Sequence, residues 1–168
     1  MTKNPSFQYG VQLDNIEQIT NIVWVDARMV IDYVNFGDVV TFGTTYGTDK
    51  ELRPLGVFTG FNHHRGLIVF GVAILYDETT ESFKWLFGSF LVAHAGKKPK
   101  TIFTDQDLAM TKVLNEVMPN TYHELCTWHI MQNGIKHLGN LMKDGSSLIQ
   151  VFKTCMFDFN DEIEFEIT

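Results

Sequence analysis

The order of strand and helix signals predicts an α/β domain built on a mixed sheet. Three observations carry that prediction. Hydrophobic residues make up 45% of the 168-residue chain and aromatic residues 13%, which is enough for a core and too much for a disordered segment. Three strand signals follow one another between Val39 and Tyr76. After them, helix and strand signals alternate, as β-α-β crossovers require.

Each element has its own signal. Phe7 to Leu13 and Gln18 to Val25 are predicted strands joined by the polar turn Asp14-Asn15-Ile16-Glu17. A short helix is predicted from Ala27 to about Asn35, capped by Asp26 and closed by Gly37. Val39 to Thr45, Leu55 to Asn62 and Leu67 to Tyr76 are β-branched and aromatic, and His63-His64-Arg65-Gly66 between the last two is a hairpin turn. The next helix should run from about Thr80 to Ala95. Its Phe83, Leu86, Phe87, Phe90 and Leu91 repeat at helical spacing, and Gly96 and Pro99 end it. That periodicity makes Trp85 and its phenylalanine neighbours core, not a platform for stacking bases. Lys100 to Thr104 is a short strand. Asp107 then caps a helix whose inner face is Met110, Val113, Leu114 and Val117, stopped by Pro119. Tyr122 to Leu125 is a further strand, and a helix from about Cys126 to Met142 carries Met131, Ile135, Leu138 and Met142 on one side.

Three antiparallel strands followed by β-α-β units are the order of a ribonuclease-H-like mixed sheet. The expected division is an N-terminal hairpin and helix over residues 1–37, the domain proper over 38–142, and a partial helical insertion with an acidic end over 143–168. In that last stretch Leu148, Val151, Phe152 and Cys155 line a helix. The sequence FDFNDEIEFEIT then carries Asp158, Asp161, Glu162, Glu164 and Glu166 with no stop signal, so the fold is expected to be truncated there.

Charge and cysteine content narrow the function. The net charge is −7, whereas a stand-alone nucleic-acid binder usually presents a basic face. The compact basic run Lys97, Lys98 and Lys100 is expected to be a solvated helix end. Cys126 and Cys155 are too few for a disulfide framework, which favours a reducing compartment. The first ten residues lack the apolar core of a signal peptide, and no apolar stretch is long enough to span a membrane.

Ribonuclease-H-like nucleases and transposases gather carboxylates around two divalent metals ~4 Å apart. One carboxylate comes from the first strand, one from the end of the fourth, and one from a later helix. Magnesium prefers oxygen ligands, so these positions need Asp or Glu. Asp105 fits the second position, since it follows Thr101-Ile102-Phe103 and precedes a helix. Its alternative role is a turn or capping acid beside Asp107.

In order along nearly the whole chain, NPSFQYGVQLD, DARMVIDYVNFGDVVTFGTTYGTDK, PLGVFTGFNHH, GVAILYDETTESFKWLF, GKKPKTIFTDQDLAM and ELCTWHIMQN resemble the transposase-derived region of the plant far-red-impaired-response family. That family consists of domesticated relatives of Mutator-like element (MULE) transposases. Its pattern at the first strand is Phe-Asp-Thr-Thr-Tyr, and this chain has Phe42-Gly43-Thr44-Thr45-Tyr46. Gly43 thus stands where the first metal-binding aspartate would be. Asp38 lies five residues earlier, roughly 16 Å along an extended strand, and Asp49 lies beyond the strand, so neither replaces it. Glu162, Glu164 and Glu166 do not match the motif of the third carboxylate. Only Asp105 carries over, as a vestigial site residue.

Cys126-Thr127-Trp128-His129 matches the family's Cys-x-x-His element. Cys126 and His129 share a helical face and form at most half a zinc site, which His123 or Cys155 could complete. The alternative is a packed cysteine and a hydrogen-bonded histidine. The His63-His64 pair is more simply a hairpin tip.

The resemblance implies control of transcription in light or developmental signalling, and a nuclear location. It also implies an amino-terminal zinc-chelating DNA-binding domain and a carboxy-terminal SWIM zinc finger, and no Cys/His cluster precedes Phe7 or follows Cys155. The expectation is a catalytically inactive, transposase-derived module, a fragment acting through homo- or hetero-oligomeric contacts with family members. It would meet DNA only indirectly, make no membrane contact, and hold no cofactor of its own. The competing expectations are a metal-dependent transposase or nuclease working through Asp105, and a remnant that does not fold stably alone.

Overall fold

The computed structural model describes residues 7–45, 53–138 and 147–158. The chain divides into two compact units, Met1–Leu125 and Cys126–Thr168. The first contains a seven-stranded sheet with strands β1 (Gln8–Leu13), β2 (Ile19–Val25), β3 (Val39–Thr45), β4 (Leu55–Phe61), β5 (Leu67–Ile74), β6 (Thr101–Thr104) and β7 (Tyr122–Leu125). Its helices are α1 (Ala27–Phe36), α2 (Thr80–Ala93) and α3 (Leu108–Val117). The second unit holds α4 (Thr127–Leu138) and α5 (Ser147–Phe157). The predicted helix from Cys126 to Met142 corresponds to α4, and residues 139–142 lie outside the described residues.

Across the sheet the order is β1-β2-β5-β4-β3-β6-β7. The pairs from β1 through β3 are antiparallel, and β3–β6 and β6–β7 are parallel. The three predicted consecutive strands are therefore β3, β4 and β5, and the predicted crossovers place β6 and β7 on the far side of β3. The N-terminal hairpin extends the same sheet, with Ile22, Val23 and Trp24 of β2 registered against Ile74, Ala73 and Val72 of β5.

Period-2 alternation gives the sheet two different faces. Val40, Phe42, Phe58, Phe70 and Ala73 face inward and are fully buried. Helix α2 covers them with Phe83, Leu86, Phe87 and Phe90, and α3 adds Met110, Val113 and Leu114 to the same core. Phe58 stacks on Phe90 at 3.9 Å between ring centroids, and Phe42 meets Phe87 edge-on at 5.2 Å. The opposite face carries Trp24, Val72, Val57 and Gly43 in one cross-strand row, all only half-buried.

The capping signals hold. Asp26 accepts a hydrogen bond from the Met29 amide at 2.8 Å, and Asp107 accepts one from the Met110 amide at 2.8 Å. Thr79 does the same for α2, accepting from the Ser82 amide at 3.3 Å. Gly96, at φ 78°, takes the left-handed position that ends α2, and its amide donates to the Leu91 carbonyl at 2.7 Å.

Gly37 needs a correction of mechanism. It closes α1, but at φ −77°, so conformational freedom is not what the position requires. The requirement is space, because a Cβ there would lie 2.4 Å from Tyr33 Cδ2 and 2.5 Å from the Tyr33 carbonyl oxygen. Gly37→Ala is accordingly expected to destabilise the first unit by about 1–3 kcal/mol through overpacking. A urea midpoint equal to that of the parent chain would count against this account.

Candidate functional site

The parallel register of β3 and β6 decides what the carboxyl edge of the sheet looks like. Val39, Val40 and Thr41 pair with Thr101, Ile102 and Phe103. Gly43 lies two residues past the last registered pair, Thr41 with Phe103, and Asp105 directly follows the end of β6, so both stand at the carboxyl ends of neighbouring strands. Gly43 shares the parity of Thr41 on the half-exposed face, and Asp105 is likewise half-buried. On the side away from β6, Gly43 pairs with Val57 of β4. The edge thus presents an apolar side chain, a glycine and one carboxylate.

Asp105 is held by the turn it begins. Its Oδ1 accepts from the Asp107 amide at 3.2 Å, and its carbonyl accepts from Thr104 Oγ1 at 3.0 Å. Thr104 is fully buried and lies 2.7 Å from His123 Nε2. Burial pushes the His123 imidazole below its ordinary value, against the opposing pull of Glu124. Next to Gly43, Thr44 points to the α2 side and donates its hydroxyl to the Glu78 carboxylate. The sequence gives no periodic or motif signal for that bond.

Asp38 is occupied elsewhere. At the amino end of β3 it pairs with Lys100 at 2.7 Å and with Lys97 at 3.5 Å. The bond from Lys100 holds its carboxyl below the usual carboxylate range. Asp49, Glu162, Glu164 and Glu166 lie outside the described residues. Among the described residues, no three His, Cys, Asp or Glu side chains converge as metal ligands.

A family model described as MULE transposase domain matches residues 39–133. The chain belongs to the MULE transposase domain family. Within it the chain groups with the FAR1-related proteins of Arabidopsis thaliana. It is 35% identical over 165 residues to Protein FAR-RED IMPAIRED RESPONSE 1, covering 98% of this chain and 20% of that protein. It is 36% identical over 153 residues to Protein FAR1-RELATED SEQUENCE 5, covering 91% of this chain and 19% of that protein. It is 34% identical over 164 residues to Protein FAR1-RELATED SEQUENCE 4, covering 98% and 22% respectively. The chain therefore spans about a fifth of the length of the curated relatives it matches.

The basic run and the His63–His64 pair lie at the other end of the strands from the carboxyl edge of β3 and β6. Lys97 donates to the Val34 carbonyl at 2.9 Å and the Tyr33 carbonyl at 3.2 Å, so it caps the carboxyl end of α1. With Lys100 bound to Asp38, two lysines of the basic run hold structure together. His63 and His64 lie at the β4–β5 turn with ring centroids 3.8 Å apart, above an Asn62 side chain that accepts from the His64 and Gly66 amides at 2.9 Å each. In the second unit, the Cys126 carbonyl accepts from the Ile130 amide at 3.0 Å as α4 begins, and His129 packs edge-on against Trp128 at 4.9 Å. Cys126 and Cys155 are both free thiols, half-buried. No helix among the described residues is long and apolar enough to cross a membrane.

Sequence reading missed His94. It is buried, its Nε2 donates to the Phe70 carbonyl at 3.0 Å, and its ring lies 4.0 Å from Tyr33. The signal existed, because position 94 continues the stripe of 83, 87 and 90 by one more helical turn.

Proposed function

We infer that this chain is a non-catalytic, transposase-derived module with a ribonuclease-H-like fold, serving a nuclear regulator of transcription through protein contacts. Support for the fold comes from the inner strands, which run β5-β4-β3-β6-β7 with three antiparallel and two parallel to β3. That is the strand order of a ribonuclease-H-like sheet. Support for a light-signalling role comes from one relative, named Protein FAR-RED IMPAIRED RESPONSE 1. Zinc and direct DNA contact belong, in this reading, to other parts of such a regulator.

One observation carries the non-catalytic reading: β3 offers Gly43, not a carboxylate, at its carboxyl end, next to the strand that leads into Asp105. A two-metal centre needs oxygen ligands on both strands. Gly43 has none, and Asp105 already accepts a hydrogen bond from its own turn. The donor set does not fit the metal pair, so no chemical step is assigned to it.

The test is Mg²⁺- or Mn²⁺-dependent strand cleavage of DNA by the full chain, with Asp105→Ala as the control. Both proteins are expected to stay at the buffer background. Cleavage by the parent chain that disappears in Asp105→Ala would overturn the reading.

A further inference from the structure

Strands β1, β3, β5 and β6 run in one direction, so the two ends of the sheet collect different charges. Their carboxyl ends lead into Asp14, Asp77 and Asp105, with Glu81 and Asp107 close behind. The other end holds Lys97, Lys98 and Lys100 before β6, and Arg65 in the β4–β5 turn. Asp38 stands among them, and Lys97 and Lys100 share it. Lys98 and Arg65 are exposed and have no acid partner among the described residues. On α1, Asp32 is paired with Arg28 at 3.7 Å, and Asp26 stands about 15 Å from Phe36 along the helix. This end is thus locally cationic in a chain whose net charge is −7.

At the same end lies an apolar cavity of about 550 Å³. Val39 of β3 and Phe103 of β6 help to floor it, and Phe61 of β4 flanks them. Phe61 is 62% exposed and Val39 50%, so two large apolar groups are left uncovered there. Phe36, at the end of α1, stacks on His63 with ring centroids 5.7 Å apart, and both line the cavity. Asp38 lines it too, which brings its ion pairs with Lys97 and Lys100 to the rim. The volume falls within the ~300–1,000 Å³ of ordinary ligand pockets, room for an aromatic side chain and its flanking backbone.

Phenyl walls can hold either an apolar group or a cation against their faces. The rim decides between the two. A cationic ligand would meet Lys97 and Lys100, and the carboxylate there is already bound to both. An anionic one finds Lys98 and Arg65 without acid partners. Nucleic acid is one source of negative charge, but the −7 of the whole chain repels a long polyanion. A short acidic peptide with an apolar anchor uses the rings and the rim together.

We propose that this cavity receives an aromatic side chain from an acidic peptide segment of a partner protein, whose flanking carboxylates meet Lys98 and Arg65. This rests on the protein-contact reading above and names its surface and the chemistry of its partner.

Fluorescence anisotropy of the full chain with a labelled peptide of about a dozen residues, one phenylalanine among glutamates, tests this. A Kd on the order of 100 µM is expected at low salt, as a single anchor allows, and added salt should weaken it. Replacing the peptide's phenylalanine by alanine, or its glutamates by lysines, should weaken binding at least fivefold. Phe61→Ala should do the same. Lys98→Glu combined with Arg65→Asn, which suits the left-handed φ of 61° at that position, should weaken it at least threefold. Leu108→Ala, at an 85% exposed position of α3, should leave it unchanged. No binding at about 1 mM peptide overturns the proposal, as does equal binding of the lysine peptide or binding unmoved by Phe61→Ala. A single-stranded oligonucleotide that binds more tightly than the peptide, and loses affinity in Phe61→Ala, would assign the cavity to nucleic acid and overturn it too. If Phe61→Ala does not unfold cooperatively, the paired rim substitutions decide, and binding that ignores them overturns the proposal. A null titration removes this cavity only, whereas the module reading above fails on DNA cleavage, so the two are told apart.

Discussion

Phe58→Ala should cost the first unit about 4 kcal/mol of stability, the largest loss expected from a single truncation in this chain. Phe58 is fully buried on the central strand β4. It contacts Phe90 at 3.9 Å, Phe42 at 4.5 Å and Phe87 at 5.7 Å, which makes it the ring through which the sheet grips α2. The cavity left behind cannot collapse easily. Its walls are rings fixed by other contacts, and the β4–β5 register shift falls between Phe58 and Thr59, so the backbone is already committed there. A domain of this size has about 5–15 kcal/mol in hand, so the loss is a large share of the total. Urea unfolding followed by circular dichroism measures it as a fall in midpoint at unchanged slope. Ile31→Ala, on a 60% exposed position of α1, should move the midpoint by less than about 0.5 kcal/mol. A Phe58→Ala effect as small as that of Ile31→Ala would show that the aromatic cluster is not what holds α2 to the sheet.

The aromatic cluster was legible in the sequence because helical periodicity is a local signal. Phe83, Leu86, Phe87 and Phe90 had to share a face once the helix formed, and the caps Asp26 and Asp107 follow from single side chains reaching their own first turn. Pairing partners are not local. Nothing in a period of two says that β2 lies beside β5, where Trp24 pairs with Val72, 48 residues further along the chain. Nor does it say that the apolar residues of β1 stay exposed while those of β4 are buried. The candidate site divides the same way. Its place at a strand end singled out Asp105 and the family pattern singled out Gly43, but that β6 runs parallel beside β3 is a matter of non-local pairing. Gly37 is legible as the helix end, but the steric reason for glycine there comes from Tyr33, whose ring and carbonyl a Cβ would meet, and no local signal shows it.

The second large effect is a loss of stability in acid that belongs to His94. Its side chain is enclosed at the joint of α1, α2 and β5, with Tyr33 at 4.0 Å, Phe90 at 4.5 Å and the Phe70 carbonyl taking its Nε2 proton at 3.0 Å. Its Nδ1 is buried with no hydrogen-bond partner, so a second proton there would be enclosed and unsolvated. Burial, helped by the positive charge of Lys97 and opposed by the Phe70 carbonyl, pushes the imidazole down from 6.5 to about 4. The folded state therefore holds the neutral ring while the unfolded chain binds a proton near pH 6.5. The resulting stability is complete above pH 6.5 and is lost as the pH falls towards 4, by roughly 3 kcal/mol in all. Carboxylates with lowered values, such as Asp38, also weaken the fold in acid, so the parent chain alone cannot isolate the effect. His94→Gln keeps an amide donor for the Phe70 carbonyl and does not titrate. Its urea midpoint should fall less steeply than that of the parent between pH 6.5 and 4, with the two curves converging at the acid end. Parallel curves over that range would mean that His94 takes its proton without disturbing the joint, and the enclosed Nδ1 would then have to be reached by water.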